Sequence, residues 1–525
     1  MNLLDLPDEL VSNVLLQAVV ARGIKRALRL RLVNKRFYRD VQSALFQSRL
    51  LDRFYTGEIL NNWYTYKNQA TATFWHSYLV YRVKNESTLS FPRYTDIRQA
   101  AQRVCEETNA DLVSTIEIIC WPALIRGTNP YTRCSSQPVD WRLCTNPEWV
   151  GGQLKNPPIF NPPAGTRFAA YSQTLVKSYL PTPDLDLLCV AAYLNLLPLA
   201  TRLIEGGVSP ARISTIFGSP MELAAWAGNA KMLEKFQEHL AEVADIVPPL
   251  QEHHTPLCND KVNQGAILGA AILGNIDMVK LALYPPSRAV PDSLDISGQK
   301  CGQVARYSAT GNAIVSAKWA TRSLDVYKYL QSLYTLDEGR IKHESLDVAI
   351  FAQWGNLEVV KYLLDTGAGV NGVHHHLNPL SVACRRGNLD IVCLLLERGA
   401  DVDYKDNTQV LIYPAICVAA RAGNFAIVRQ LVQHGSKDDF QNGWVEAFAA
   451  AVDLEYTAMA KYLLDFGRQV GHHGILETHG GLILKRARAR GMDSMVEFLL
   501  QEGITTKGTG RDGVTKYFSL EDYEI

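Results

Sequence analysis

The fold of this chain is decided by one stretch, Gly355-Asn356-Leu357-Glu358-Val359-Val360-Lys361-Tyr362-Leu363-Leu364-Asp365-Thr366-Gly367-Ala368, because its pattern recurs along the sequence. Close copies begin at Gly387-Asn388 and Gly423-Asn424. Weaker copies begin at six further anchor residues: Asn195, Gly228, Gly274, Arg322, Glu455 and Gly491. Most anchors lie 32 to 36 residues apart, and two steps are longer, at 46 and 48 residues. A period in the low thirties predicts a solenoid of stacked units, whose concave surface usually binds another macromolecule.

The copy that begins at Asn378 carries clear signals for the start and end of a helix. Pro379 suits the first helical turn, where its missing N–H is not needed. Gly387 supplies the left-handed conformation that ends a helix. Leu389 and Val392 then open a second helix with one apolar face. This order resembles the ankyrin repeat, in which Pro-Leu opens an inner helix, Gly-Asn closes it and an outer helix runs to Gly-Ala.

The ankyrin resemblance extends over residues 185–504 and predicts about nine repeats, several of them degenerate. The glycine of the turn is missing at Arg322 and Glu455. Two insertions, at about 238–264 and 284–312, interrupt the period. The last segment, 505–525, is predicted to be a C-terminal tail.

A second informative pattern lies at the N-terminus. Leu6-Pro7-Asp8-Glu9-Leu10 leads into an amphipathic helix that has proline in its first turn. A short break is predicted at residues 21–23, and the pattern Leu30-Arg31-Leu32-Val33-Asn34-Lys35-Arg36-Phe37 follows. The two patterns together resemble the F-box, a three-helix module, which would occupy residues 1–48. The family usually has cysteine where this chain has Asn34, and the loop between the helices lacks the proline that many members carry.

The F-box resemblance implies a role in ubiquitination. F-box modules dock an adaptor of the Skp type, which links them to a cullin–RING ubiquitin ligase, and the attached domain selects the protein to be modified. The residues expected to bind the adaptor are Leu6, Pro7, Leu10, Val14, Leu32 and Phe37. In the alternative interpretation these side chains form the internal core of a helical cap, and for Leu10, Val14 and Leu32 the sequence leaves both interpretations open.

The segment between these two parts, residues 49–180, has a different character. It holds five of the nine tryptophans. The spacing of apolar residues predicts a helix over residues 96–119. After Trp121-Pro122 the chain is expected to be irregular, with proline pairs at 157–158 and 162–163 that favour extended segments. The prediction is a connector, helical in its first part and irregular in its second.

Composition narrows the class of protein and partner. The chain of 525 residues has 53 Lys and Arg and 53 Asp and Glu, so no overall field favours nucleic acid or a membrane surface. No apolar run reaches the length of about 18 residues that a membrane span needs. Ten cysteines without a CxxC pair, and no secretory signal, predict reduced thiols in an intracellular protein of the cytoplasm or nucleus.

No pattern in the sequence predicts a catalytic, metal or cofactor site. His374-His375-His376 falls on a predicted hairpin tip and lacks a cysteine or carboxylate partner, and His253-His254 and His472-His473 fall in insertions or turns. Residues 508–513 spell GxGxxG but follow a helix, where the motif has no meaning. Residues 485–490 form a basic run that suits either a nuclear-import signal or the polar face of a terminal repeat. We therefore expect no enzyme activity and no cofactor.

The repeat register does single out a candidate binding surface. In ankyrin repeats the two residues before the Gly-Asn turn tend to face the concave surface, and here they are mostly aromatic, apolar or basic. Aromatic and arginine side chains often anchor protein interfaces. The residues expected to bind a client protein are Trp226, Trp354, Arg385, Arg386 and Arg421. The hypothesis is a groove that runs from apolar to basic and binds an acidic, partly hydrophobic segment of a protein. In the alternative, the tryptophans pack against neighbouring repeats and the arginines are only solvated.

Two functions of different classes follow from the sequence. The first is a non-catalytic substrate receptor of a cullin–RING ubiquitin ligase, in which the F-box-like module recruits a Skp-type adaptor and the repeats recruit an unknown protein client. The second is an ankyrin scaffold that joins no ligase and whose N-terminal helices act only as a cap.

Overall fold

The computed structural model describes most of the chain as helices. The described residues are 6–31, 34–51, 69–86, 92–126, 149–150, 153–154, 182–214, 216–242, 261–283, 309–333, 340–372, 378–402, 414–435, 441–471 and 473–504. They contain 23 helices, and their only sheet is a hairpin of two-residue strands. Two compact units result, one of Met1–Thr56 with Leu336–Ile525 and the other of Gly57–Thr335. The predicted all-α fold is confirmed.

The N-terminal part consists of α1 (Asp8–Leu30) and α2 (Lys35–Gln47), which pack against each other. The sequence predicted three helices with a break at residues 21–23, whereas α1 is continuous through them. A single glycine costs a helix about 1 kcal/mol relative to alanine, and α1 contains no proline. The first break comes instead before α2, where the Asn34 side chain accepts a hydrogen bond from the backbone N–H of Phe37 at 2.8 Å.

The unit of residues 57–335 begins with three helices and the hairpin. These are α3 (Gln69–Asn85), α4 (Pro92–Thr108), α5 (Leu112–Arg126), β1 (Trp149–Val150) and β2 (Gln153–Leu154). The helix predicted over 96–119 is divided in two, because Asn109 adopts a left-handed conformation (φ 60°). Asp111 then caps α5 by accepting from the backbone N–H of Ser114 at 2.8 Å. Helix α5 continues past Pro122 to Arg126, close to residue 125, where the sequence predicted the helical part of the connector to end.

The same unit continues as four helix pairs. They are α6 (Pro183–Tyr193) with α7 (Leu197–Glu205), α8 (Pro220–Trp226) with α9 (Ala230–Glu242), α10 (Lys261–Leu273) with α11 (Ile276–Leu283), and α12 (Ala309–Ala320) with α13 (Leu324–Ser332). The first helix of each pair, the inner helix, packs on the inner helices of the neighbouring pairs. The predicted insertions fall largely on residues 243–260 and 284–308, outside the described residues.

Five further helix pairs form the described part of residues 336–525. They are α14 (Arg340–Trp354) with α15 (Leu357–Asp365), α16 (Pro379–Arg386) with α17 (Leu389–Glu397), α18 (Ala415–Arg421) with α19 (Phe425–His434), α20 (Gln441–Asp453) with α21 (Thr457–Gln469), and α22 (His473–Ala489) with α23 (Asp493–Gln501). The inner helices α14, α16, α18, α20 and α22 again pack in sequence.

The anchors of the sequence repeat are the left-handed residues between inner and outer helices. Eight of the nine have a positive φ: Asn195, Gly228, Gly274, Gly355, Gly387, Gly423, Glu455 and Gly491. Glycine adopts this conformation without a steric cost. Asn195 and Glu455 adopt it with a Cβ, so the turn survives where glycine is missing.

The asparagine that follows the turn glycine joins neighbouring repeats. The Asn388 side-chain amide donates to the carbonyl of Ala352, at 2.7 Å, at the end of the preceding inner helix α14. Asn424 donates to the carbonyl of Cys384 at 2.8 Å, and Asn229 to that of Ala192 at 2.7 Å. These bonds satisfy carbonyl groups that a helix end leaves without an intrahelical partner. The sequence showed that Gly-Asn recurs, but it did not show that the asparagine side chain bonds to the preceding repeat.

Helices α3 to α5 pack together and cover one end of the first repeat stack, where α4 contacts α6. Two ion pairs cross this junction, Arg103–Asp184 at 2.7 Å and Arg202–Glu107 at 2.5 Å. Inside the three-helix group, Arg82 and Glu86 form a fully buried ion pair. This part of the predicted connector is therefore an ordered cap on the repeats.

A buried carboxyl lies at the same junction. Asp186 on α6 is 5 % exposed and accepts a hydrogen bond from the hydroxyl of Ser214. Burial raises the pKa of Asp186 from its ordinary 3.8 to about 6, the Ser214 hydroxyl opposes the rise, and on α4 the Asp96 charge adds to it while Arg103 opposes it. The folded chain therefore keeps the proton of Asp186 up to a higher pH, about 6, than an unfolded chain does.

We expect the Gly57–Thr335 unit to lose stability as the pH rises through about 6. The folded pKa of Asp186 lies above the unfolded one, so the contribution is complete below pH 4 and is lost above pH 6, a change on the order of 2 to 3 kcal/mol. Asp186→Asn should flatten the dependence of the unfolding free energy on pH between 4 and 7 in urea titrations. The control is Asp184→Asn, which alters an exposed carboxylate on the same helix; an equal flattening there would contradict the assignment.

Candidate protein-interaction surfaces

One face of α1 exposes apolar side chains while the other face is buried. Val11, Leu15 and Val19 are at most 2 % exposed, on the side that packs on α2. Leu10 is 50 % and Val14 44 % exposed. Pro7, three residues before Leu10, is also exposed. Pro7, Leu10 and Val14 are at three- and four-residue spacing and form what we call the α1 apolar face.

The other adaptor-binding residues predicted from sequence have different surroundings. Leu6 and Phe37 are half-buried, and Leu32 lies outside the described residues. Near Phe37, the Arg36 guanidinium pairs with Asp8 of α1 at 2.6 Å. This ion pair joins the starts of α1 and α2.

The first repeat stack presents an apolar row at the ends of its inner helices. Trp226, the last residue of α8, is half-buried and packs on Leu268, Ile272 and Ala320. Its ring lies 5.4 Å from that of Tyr193, between ring centroids. Trp226 therefore holds neighbouring repeats together, and part of its side chain stays at the surface.

Two further residues belong to this row, and one of them, Tyr193, was not identified on sequence grounds. Tyr193 ends α6 and Leu273 ends α10, and Leu273 is 40 % exposed. Tyr193 stands two residues before the left-handed Asn195, as Trp226 stands two residues before Gly228. The repeat register identifies Tyr193 if Asn195 is assigned to the position that glycine occupies in the other turns.

In two repeats of the second stack the same positions carry arginine. Arg385 and Arg386 end α16, and Arg421 ends α18, the next inner helix. Arg385 is exposed, whereas Arg386 and Arg421 are half-buried. We call these three residues the arginine row. Trp354, which ends the preceding inner helix α14, is half-buried and lies edge-on to Phe351 at 5.2 Å between ring centroids.

A carboxyl and a thiol lie close to Arg421. The Cys417 thiol donates to Glu446 of α20 at 3.3 Å. Burial raises the pKa of the Glu446 carboxyl, while Cys417 and Arg421 oppose the rise. Burial also raises the pKa of the Cys417 thiol well above its usual range. The thiol therefore stays protonated here. Glu446 is a carboxyl that interacts electrostatically with Arg421.

The basic run at residues 485–490 belongs to the last inner helix, α22, and to the residue after it. Arg486 and Arg490 both pair with Asp453 of α20, at 2.8 and 3.1 Å. Two of the cations are thus held by the neighbouring repeat, as a terminal capping helix requires.

Several sequence motifs lie outside the described residues: the histidines at 253–254 and 374–376, His472, and the GxGxxG run at 508–513. Within the described residues, no group of three or more His, Cys, Asp or Glu side chains is arranged to hold a metal ion. No helix of that part is long and apolar enough to span a membrane.

Comparison with known proteins identifies the repeats. A family profile described as ankyrin repeats, with three copies, matches residues 324–406. This segment runs from α13 to just beyond α17. No curated protein matches the chain. Residues 324–406 are therefore ankyrin repeats, a fold that presents a surface for other proteins.

Proposed function

We propose that this chain is a non-catalytic substrate receptor of a cullin–RING ubiquitin ligase. Helices α1 and α2 dock a Skp-type adaptor, and the ankyrin repeats hold the protein to be modified. The observation that carries the proposal is the α1 apolar face, which exposes Pro7, Leu10 and Val14 at positions where the sequence resembles an F-box. Leu10 and Val14 do not complete the packing between α1 and α2, which argues against a role as internal core.

The free energy available at this face is sufficient for a specific contact. Full burial of a Leu or Val side chain contributes about 1.5 to 3 kcal/mol, and Leu10 and Val14 are each about half exposed. Burial under a partner would thus contribute about 1 kcal/mol for each. Loss of both contacts corresponds to about a 30-fold weaker complex.

Leu10→Ala/Val14→Ala is expected to weaken binding of a Skp-type adaptor about 30-fold, as measured by titration of the full chain with the purified adaptor. The substitutions remove exposed side chains, so the stability of the chain should change little. Val20→Ala is the matched control, because Val20 is equally exposed on α1 but lies away from Leu10 and Val14.

Two results would refute the adaptor proposal. One is a folded wild-type chain that does not bind the adaptor, and the other is a double variant that binds as tightly as wild type. The first result favours the second candidate, an ankyrin scaffold without a link to ubiquitination. The second result shows that the α1 apolar face is not the surface that docks the adaptor. The observation that favours this candidate is the ankyrin match at residues 324–406, which by itself implies only a protein partner.

The proposal that the chain is not an enzyme draws support from four of its six described cysteines. Burial raises the pKa of Cys120 to about 12, and it also raises the pKa of Cys189, Cys384 and Cys417 well above the usual range of a thiol. A ubiquitin-transferring cysteine must reach its thiolate form, so these four thiols are unsuited to that role. Transfer would instead be performed by the ligase machinery, and this chain would hold the client near it.

A further inference from the structure

We propose that a basic patch on α2 and at the end of α1 binds an acidic segment of the protein that docks on the α1 apolar face. The residues of this patch, which we call the α2 basic patch, are Arg31, Lys35, Tyr38 and Arg39. This inference rests on the proposed function and adds the chemistry of a second contact with the same partner.

Three side chains of the patch project from one face of α2. Lys35, Tyr38 and Arg39 lie three and four residues apart, so they stand above one another on the same side of the helix. Lys35 and Arg39 are exposed, and Tyr38 is 53 % exposed although its ring is large and aromatic. This face of α2 is therefore accessible to a partner.

The fourth residue, Arg31, follows α1 and is held against this face by two contacts. Its guanidinium lies over the Tyr38 ring, 4.1 Å from the ring centroid. Its Nη2 donates to the side-chain oxygen of Gln42 at 3.0 Å, and its Nε is buried without a hydrogen-bond partner in the described part of the chain. The guanidinium is thus short of acceptors. Because its position is already fixed, less side-chain entropy is lost when it binds a carboxylate, whose shape its N–H groups match.

The positive charge of the patch is not neutralised within α1 and α2. Asp8 and Asp40, two of the three carboxylates of these helices, both pair with Arg36, at 2.6 and 3.3 Å. The three cations of the patch form no ion pair with the described residues. Lys35 and Arg39 are moreover like charges four residues apart on a helix, which repel each other. A bound carboxylate would relieve this repulsion.

The patch lies beside the start of α1. The ion pair between Arg36 and Asp8 brings the first turn of α2 next to the residue that separates Pro7 from the rest of the α1 apolar face. One partner can therefore contact both surfaces. A protein is favoured over a nucleic acid, because three cations fall short of the about 6 to 10 phosphate contacts through which proteins bind nucleic acids with strong salt dependence.

Titration of the full chain with a purified Skp-type adaptor, repeated at increasing NaCl concentration, tests the proposal. Arg31→Gln/Lys35→Gln/Arg39→Gln should weaken binding about tenfold at low ionic strength. The loss of affinity with added salt should also become smaller than in wild type, because salt screens contacts between exposed charges.

The matched control is Lys361→Gln/Arg429→Gln/Lys485→Gln. It removes the same number of exposed cations elsewhere in the chain, so it changes the net charge equally. Both the affinity for the adaptor and its salt dependence should stay as in wild type.

Two further variants separate recognition from folding. Lys35→Gln/Arg39→Gln alters only exposed side chains and should weaken binding about threefold, with urea unfolding unchanged. Arg31→Lys keeps the charge but loses the paired N–H donors, so it should also weaken binding if the guanidinium meets a carboxylate.

The proposal is overturned if the folded triple variant binds the adaptor as wild type does, or if the matched control loses as much affinity. A loss for Leu10→Ala/Val14→Ala without a loss for the triple variant refutes this inference alone, whereas a wild-type chain that does not bind the adaptor refutes the proposed function as well. An oligothymidylate that binds wild type but not the triple variant, while adaptor binding is unchanged, would assign the patch to nucleic acid instead.

Discussion

Glu86→Ala is expected to reduce the stability of the three-helix cap by about 3 to 5 kcal/mol. Arg82 and Glu86 are 2 % and 0 % exposed, and Arg82 also lies over the Tyr94 ring at 4.7 Å. Removal of Glu86 leaves a guanidinium in a dry interior without its counter-charge, which costs far more than the pair itself contributes. Hydrogen exchange at the amides of α3 to α5 measures the loss directly.

The matched control for this change is Glu117→Ala in the same group of helices. Glu117 pairs with Lys84 at 2.8 Å, but its side chain is 53 % exposed. An exposed pair of this kind contributes at most about 1 kcal/mol. A cost for Glu86→Ala no greater than that for Glu117→Ala would contradict a dry, fully paired site. Arg82→Met/Glu86→Leu, which removes both charges, should restore most of the stability.

Gly269→Ala is expected to destabilise the first repeat stack by about 2 kcal/mol. A Cβ at residue 269 would lie 2.2 Å from the backbone oxygen of Glu222 and 3.0 Å from the backbone nitrogen of Trp226. Neither atom can move without separating α8 from α10. Helix propensity alone favours alanine over glycine by about 1 kcal/mol. Overpacking costs about 1 to 3 kcal/mol, and a clash with backbone atoms belongs at the upper end of that range. The steric cost therefore exceeds the gain in helix propensity.

The prediction at Gly269 is checked by urea unfolding of the full chain, followed by hydrogen exchange in α8 and α10. Gly206→Ala is the matched control. Gly206 has a negative φ, and its added Cβ would meet only Arg202 and Leu203 oxygens at 3.3 and 3.4 Å. We expect a change below about 0.5 kcal/mol there. A gain in stability for Gly269→Ala would show that propensity, and not the close approach of α8 and α10, governs this position.

Local chemistry explains why so much of the repeat architecture could be predicted. Gly387 is left-handed at the predicted helix end, and Pro379 opens the predicted inner helix. Signals of this kind act within a few residues, and they recur in almost every copy. By contrast, α1 was predicted with a break, because a glycine between helical patterns can either interrupt a helix or be tolerated within it.

Features that depend on contact between distant segments could not be predicted. Arg82 lies on α3 and Glu86 directly follows that helix, at the four-residue spacing of an ordinary surface pair, so the sequence does not show that both side chains are buried. Gly269 likewise has no local signal for its contact with Glu222. For Leu10 and Val14 the sequence left core and surface equally open, and their exposure in the structure supplied the distinction.

The asparagine bridges between repeats give the array a direction. Asn388 completes the inner helix α14 of the repeat before it, and its own inner helix α16 is completed by Asn424 of the repeat after it. Removal of the repeat that contains Asn388 would take two hydrogen bonds from the end of α14, those to the carbonyls of Ala352 and Gln353. Removal from the N-terminal side leaves only a side-chain amide, which water can satisfy. The two ends of the array are thus unequal, and growth or loss of repeats is less costly where the chain enters the stack than where it leaves.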